Sequence, residues 1–542
     1  MLFSYMLRKL RFFMDSAYRR LGGEADGADA QSAPEKKIDK SLEENLEGLR
    51  ALLSYSNDLV VHRFRFGPAG SLEAALVFID GLVDTKTLTE AVLRPLRNWR
   101  ADETQLPHAG DLLDKLGREA LCAASMEAAQ SLEKLSASCL QGNAVLLLEG
   151  CAGGLSIEAK GWEKRAVTEP QSETVVRGPR EGFTENLRTN TALIRRKIHD
   201  GRLHVEQLNV GRKSHTGVCL LYLEGVVAPH VLEAVRYRVS RLDVESILET
   251  GYLEEYIEDA PYSPFATIGY SEKPDVVAAK ILEGRVAIAV DGTPFVLTAP
   301  MLFIESFQTA EDYYTRPLYA TLLRILRLFA YVLTVFGPSI YIALTAFHHE
   351  LIPTTLLLRV ASTREGTPFP VFLEALIMIT AYEILREAGV RLPRAVGQAI
   401  SIVGALIMGE AAVNAGIVGA PMVITIAVTA VAGFLVPSQA DSSSMLRIGM
   451  MVPASFLGLY GVAFGFLALL MHLASLESFG VSYFDSFSHA SDIQDTVIRT
   501  PLWFMNKRPA RIAKGDTTRG HFFVPPLRPF ASGEDGAQGG KP

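Results

Sequence analysis

Three carboxylates in the second half of this 542-residue chain stand in apolar surroundings: Glu374, Glu383 and Glu410. Glu374 and Glu383 share the stretch Phe369 to Ala388 with Arg386 and Glu387, and the rest of it is apolar enough to enter a bilayer. Glu410 is the one charge between Ala395 and Pro437. A carboxylate at bilayer depth costs several kcal/mol unless it is paired or hydrated, so such residues mark ion pathways or bonds between helices. The chemistry open to them is cation attraction and ion pairing. Nine residues of separation turn Glu374 and Glu383 about 180° apart on an ideal helix. One is expected to look to water, the other to a partner such as Arg386, one turn away. Glu410 and Asn414, four apart, share a face as a polar stripe. Structural bonds between helices are an even alternative for all of these residues, and the stripe leans that way because of the small residues around it. The expectation is that at least one of the three acids faces a water-filled axis, with the helix of Glu374 and Glu383 as the better candidate.

Catalysis finds little support. The chain has no G-x-S-x-G, no Walker loop and no H-E-x-x-H. Gly150-Cys-Ala-Gly-Gly follows an apolar run but lacks the lysine and hydroxyl of a phosphate loop, and reads as a turn. His348-His349-Glu350 reads as an interfacial loop ahead of Pro353 rather than a metal set. No catalytic residue, cofactor or metal is expected. Four cysteines, all in the first half, match no disulfide or metal spacing and read as buried reduced thiols. The net charge of −7, with no basic domain, excludes nucleic acid as a partner.

Several elements must position the acids. Leu328 to Phe347 is uncharged and long enough to cross about 30 Å of hydrocarbon, with Gly337-Pro338 as an expected kink or hinge. Ala395 to Pro437 is expected to form two helices with a tight turn at Asn414–Pro421, and small residues at Gly404, Ala405, Gly409, Ala412 and Gly416 favour close packing. Ile448 to Met471 reads as one further uncharged span. Counting Phe369 to Ala388 gives five crossings and discounting it gives four. Four would return the basic tail (Arg499, Lys507, Arg508, Arg511, Lys514) to the side of the N-terminal region, whereas Arg386, Arg391 and Arg394 favour five.

The expected organisation is two cytosolic α/β (α+β) subdomains followed by an all-α membrane domain. Residues 1–40 form an amphipathic segment and linker without a secretory signal, able to meet anionic lipid. Residues 41–165 and 166–315 form the subdomains, 316–485 the membrane domain and 486–542 a basic, Pro/Gly-rich tail. In the first subdomain a helix capped by Ser41, strands at Leu59–Phe66, Ala75–Ile79, Asn143–Gly150 and Leu155–Ala159, and a helix at Ser125–Lys134 are predicted. In the second, strands at Val218–Leu223 and Arg285–Val290 accompany helices at Val231–Leu242 and Ala279–Leu282. Between the two, Val175 to Ile198 carries six basic and two acidic residues. Thr184 is the candidate cap of its helix. Its arginines lack an evident excess of acids nearby, so Arg177, Arg180, Glu181, Thr184, Glu185 and Asn186 are candidates for an interface with carboxylates of a neighbouring subunit, against a solvated helix face as the alternative.

Six segments together resemble one family: RGPREGFTENLRTNTALIRRKI (177–198), ILETGYLEEYIEDAPYSPF (247–265), LEGRVAIAVDGTPFVLTAP (282–300), EDYYTRP (311–317), FPVFLEALIMITAYEILREAGVRLPRAVGQAISIVGALIMGEAAV (369–413) and HLASLESFGVSY (472–483). They resemble the A subunit of GerA-type spore germination receptors, a family that includes the stage V sporulation protein AF branch. The resemblance runs from about Asn143 to Pro509. It implies a protein of the spore inner membrane, its soluble domains on the core side, working with B-type transmembrane and C-type lipoprotein subunits. It further implies a homo-oligomer, a pentamer among the options, acting as a nutrient-gated or accessory ion channel that releases cations. The competing classes are a membrane scaffold that conducts nothing and, less favoured, a secondary transporter.

Overall fold

The structure, a computed structural model, describes residues 36–67, 70–99, 109–123, 125–161, 169–170, 172–391, 409–484, 495–509 and 512–519. The expected amphipathic N-terminal segment, most of the first arm of the helical hairpin with Gly404 and Ala405, and Arg394 and Arg511 lie outside the described residues.

Helix α1 (Leu42–Leu52) starts where Ser41 accepts the Glu44 amide, as the cap residue requires. Strands β1 (Leu59–Phe66), β2 (Leu72–Ile79), β3 (Met126–Ala129), β4 (Asn143–Leu148) and β5 (Gly154–Glu158) form one sheet in the order β1-β2-β4-β5-β3. Every pairing is antiparallel. A second sheet, made of β6 (Leu203–Val210), β7 (Thr216–Leu223), β8 (Gly269–Ser271), β9 (Val286–Val290) and β10 (Val296–Ala299), repeats the order strand for strand as β6-β7-β9-β10-β8. The repeat is visible in the sequence. LVFIDGLV (76–83) corresponds to LLYLEGVV (220–227), and NAVLLLEG (143–150) to RVAIAVDG (285–292). Each copy ends its strand on a glycine at positive φ (Gly81, Gly225, Gly150 and Gly292), where a side chain would strain the turn. The soluble half is therefore a duplicated α+β unit, its central strands buried on both faces.

One predicted element is corrected. Ser125–Lys134 is not a helix: Met126–Ala129 pairs with β5 as an edge strand, and the helix (α2) begins only at Leu132 and ends at Leu140. Its helix-forming residues yield to the backbone hydrogen bonds that β5 offers, since tertiary context overrides weak propensity.

The thiols fit this packing. Cys139, Cys151 and Cys219 are buried and Cys122 is exposed. Burial pushes Cys139 and Cys219 up to about 12, far from the thiolate needed for attack. Alkylation of the native protein at pH 8 followed by mass spectrometry should modify Cys122 alone on the time scale of minutes. Equal modification of Cys139 would contradict the packing.

In the second subdomain, α3 (Leu187–Arg195), α4 (Pro229–Ser240), α5 (Thr250–Ile257) and α6 (Pro274–Leu282) accompany the sheet. On α5, burial raises the Glu254 carboxyl from the ordinary 4.5 to about 7, and Glu258 and Glu249 add to the rise. The folded state then holds a proton that the unfolded chain has lost, so stability should fall as pH rises from about 4.5 to 7 and level off above. Glu254→Gln should flatten that slope and stabilise the protein at pH 8. Thermal unfolding across this range checks it, and an unchanged slope would show that Glu254 is solvated.

After the short helix α7 (Glu311–Tyr314), the chain enters a helical bundle through α8 (Pro317–Ala346), the one described helix long and apolar enough by itself to cross a membrane. Helices α9 (Thr354–Arg364), α10 (Val371–Arg391), α11 (Ala420–Gly433), α12 (Ala440–Leu457) and α13 (Leu459–Ser475) follow. Ala420–Gly433 and Pro437–Leu457 meet the same test only as a pair, bent by 113° at their break. Ile448–Met471 is not one span. It breaks at Gly458, whose φ of 60° and whose contact with the end of α8 exclude a side chain: a Cβ would lie 2.7 Å from the His348 ring. The helical hairpin turns after Asn414, with Gly416 at positive φ.

Contacts order the bundle between two ends. At the near end, Ser438 and Gln439 bond Ser306, Ser442 bonds the Pro264 carbonyl, and His472 meets Ser263 at 2.9 Å. Phe265 is buried there among Phe303, His472 and Tyr483. At the far end, the Gly419 amide bonds Glu374 and Gly458 lies against Phe347. Among the described residues the chain thus runs out along α8, back along α10, back again along α11 from the hairpin turn, out along α12 and back along α13. The tail then returns to the second subdomain: Ile512 and Ala513 are buried there, Ala513 bridges Val227, and Arg508 donates to the Leu282 carbonyl at 2.8 Å. That places the described tail on the side of the soluble half.

Candidate functional site

The first acid of the bundle, Glu374, is 1% exposed. Its carboxylate lies 3.6 Å from Arg364 Nε and accepts from Thr367 Oγ1 and the Gly419 amide, each at 3.3 Å. Gly419 is the N-cap of α11, so the acid also meets the positive end of that helix. Pro370 positions it by opening α10 four residues earlier, its carbonyl accepting the Glu374 amide. Within one chain Glu374 faces protein on all sides.

Glu383 is paired as well. It bonds Arg386 at 2.8 Å one turn along α10 and lies 3.7 Å from Arg447 of α12. Arg386 continues to Ser444 at 2.9 Å, and the Arg447 guanidinium stands 5.6 Å from the centre of the Tyr382 ring. Arg447 is 1% exposed. Sequence reasoning missed both Arg447 and Arg364. The signal was available, since an acid at bilayer depth calls for a cation and both arginines flank apolar runs.

Glu410 is the exception. It and Asn414 are exposed, one turn apart on the hairpin's first arm, and neither side chain has a hydrogen bond or ion pair among the described residues. Gly409 turns the other way, toward Val423 of α11. In the single chain Glu374 and Glu383 are paired between helices, Glu383 with the expected Arg386, while Glu410 and Asn414 present a polar stripe unpaired among the described residues.

Gly337 and Pro338 lie inside an unbroken α8. Gly337 marks a helix crossing, where a Cβ would come within 2.6 Å of Thr429 in α11, and Thr334 Oγ1 bonds the Thr429 carbonyl at 3.3 Å. The missing side chain lets the two backbones approach.

The charged segment 175–198 has more intrachain partners than its sequence suggested. Arg195 binds Asp58 bidentately at 2.8 and 3.0 Å, Arg188 meets Asp80 at 2.9 Å, and Arg196 and Lys197 both hold Glu181. Arg195 and Arg188 join the two soluble subdomains. Thr184 is not the cap of α3. Asn186 takes that role by accepting the Thr189 amide at 3.0 Å, while Thr184 is buried against Asn190. An amide side chain two residues nearer the helix reaches the first-turn donors better. Arg177 and Glu185 are exposed, and Arg180 forms an exposed pair with Glu169 at 3.1 Å. Such a pair contributes about 1 kcal/mol at most.

Comparison with known proteins agrees over most of the chain. The family described as Bacillus/Clostridium GerA spore germination protein matches residues 47–511. The uncharacterized membrane protein YfkQ of Bacillus subtilis (strain 168) is 41% identical over 90% of this chain and 94% of its own length. Spore germination protein KA of the same organism is 41% identical over 89% of this chain and 88% of its own. Spore germination protein B1 is 38% identical over 89% and 99% respectively. The crystal structure of the N-terminal domain of the A subunit of the Bacillus megaterium spore germinant receptor GerK3 is 33% identical, with a TM-score of 0.41, covering 50% of this chain and 99% of that one. This chain belongs to the GerA spore germination protein family.

Proposed function

We propose that the chain is a membrane subunit of a spore germination receptor, embedded through its helical bundle and assembled with copies of itself around a cation path. Its soluble half and tail lie on the core side of the spore inner membrane, and B-type and lipoprotein subunits complete the complex. The observation that carries the reading is Glu410 with Asn414. They are an unpaired acid and amide on the surface of an apolar bundle, within which Glu374 and Glu383 are ion-paired. Against lipid such a stripe would be costly, and against a shared axis a ring of carboxylates attracts cations. The exposed Arg177 and Glu185, and Arg180 by exchanging its exposed Glu169 pair, are open to a neighbouring subunit. Large exposed side chains such as Leu318, Phe329, Phe456 and Phe464 suit lipid or a neighbour.

Deleting the gene in the source organism tests the biological role. Growth should be unaffected and spore germination lost for at least one nutrient. A change in rate alone would assign an accessory role, and normal germination under every nutrient would remove the proposal.

A further inference from the structure

The four residues of α7 each hold a different part of the molecule. The Glu311 carboxylate accepts from the amides of Val176 and Arg177 in the loop ahead of α3. Asp312, fully buried, accepts from Arg324 Nε at 3.0 Å and Arg327 Nη1 at 2.9 Å, both on the first turns of α8. The Tyr313 hydroxyl donates to Asp495 of the tail at 2.8 Å, and its carbonyl accepts from Arg499 at 3.4 Å. The Tyr314 hydroxyl donates to Asp275, at the start of α6, at 2.5 Å. Its ring lies 2.7 Å from where a Cβ on Gly178 would stand, so that position stays glycine. Arg324 closes the set by donating to Asp495 Oδ1 at 3.0 Å and the Thr496 carbonyl at 2.8 Å.

Helical geometry explains the arrangement. Side chains about 100° apart send four consecutive residues in four directions. The contacts of Asp312, Tyr313 and Tyr314 are charge-assisted and partly or fully buried, where removing one partner leaves an uncompensated group behind. A rigid unit therefore links the loop at 176–178, helix α6, the base of α8 and the tail turn at Asp495–Arg499, whose ends bridge each other. The tail is anchored again at Arg508 and Ala513 on the second subdomain, so this turn cannot drift freely.

We propose that Glu311–Tyr314 is a junction that couples movement of the second soluble subdomain to the base of α8 and to the tail turn at Asp495–Arg499 together. The coupling does not depend on what the bundle conducts. Hydrogen exchange on the full chain in detergent tests it with two conservative variants acting from opposite sides. Glu311→Gln touches only the Val176 and Arg177 amides. If the junction is coupled, it should also speed exchange of the Arg499 amide, which donates to Thr321 Oγ1 at 3.1 Å, by about fivefold, the scale of one lost hydrogen bond. Tyr313→Phe removes one hydroxyl at the tail and should in turn speed the Val176 and Arg177 amides. The Val145 and Leu147 amides in the first sheet should be unchanged in both. The proposal is overturned if each variant alters only its own neighbours, or if exchange rises equally in the first sheet.

Discussion

Arg195→Ala should cost the soluble half about 3–5 kcal/mol, the scale for breaking a buried ion pair by removing one partner. Arg195 is 1% exposed, and besides Asp58 it donates to Ser56 Oγ at 2.9 Å. Ser56 Oγ in turn accepts the Val205 amide at 2.9 Å, and the Asn57 amide donates to the Val205 carbonyl at 3.0 Å. One guanidinium therefore ties the turn before β1 of the first subdomain to α3 and β6 of the second. Truncation strands the Asp58 carboxylate at the seam, with no cation to replace the lost one. The damage should be local to that seam, so the Asn57 and Val205 amides should lose protection before the centre of either sheet. Arg195→Lys keeps the charge but not the planar fork and should fall between the parent and the alanine variant. Denaturant unfolding followed at both sheets, with hydrogen exchange at those amides, measures it. A loss below about 1 kcal/mol would mean the pair is screened like a surface contact.

Glu410→Gln should abolish or strongly reduce cation preference while leaving assembly intact, because it removes charge, keeps shape and breaks no intrachain bond. Glu374→Gln is the informative contrast. It leaves Arg364 facing a neutral amide in a buried site, so it should lower abundance or bundle stability by about 1–3 kcal/mol without changing selectivity in the molecules that assemble. The two substitutions are chemically identical, so the difference lies wholly in surroundings. If Glu374→Gln instead shifts selectivity and Glu410→Gln does not, the oligomer rearranges α10 away from its single-chain packing.

Much of the soluble half was legible in the sequence. Strand β1 shows at its observed limits, Ser41 announces α1, and the apolar run at Asn143–Leu148 reads as a buried strand. These signals are local, which is why they survive without tertiary information. Edge strand β3 failed because pairing with β5, not propensity, decides it. The duplication becomes legible once the fold aligns its two copies, which share turn glycines and apolar spacing more than residue identities. In the bundle, composition located the helices but not their breaks. Gly458 looks like any small residue in an apolar run until the end of α8 is placed against it. The surroundings of the acids are hidden in the sequence for the same reason. Arg386, one turn from Glu383, is the partner the sequence offers, but Arg447 lies on another helix and Arg364 ends the preceding one, while Glu410 has none among the described residues. Thr184 and Asn186 were both seen as polar residues at a helix start, and only the backbone geometry separates cap from core.

The most direct measurement is current through the purified full chain, assembled in planar bilayers under a KCl gradient. Stepwise currents whose reversal potential lies on the potassium side are expected, shifting toward zero when Glu410 is replaced by Gln. An assembled, inserted oligomer that passes no current, or one whose reversal potential lies on the chloride side, would contradict the cation path.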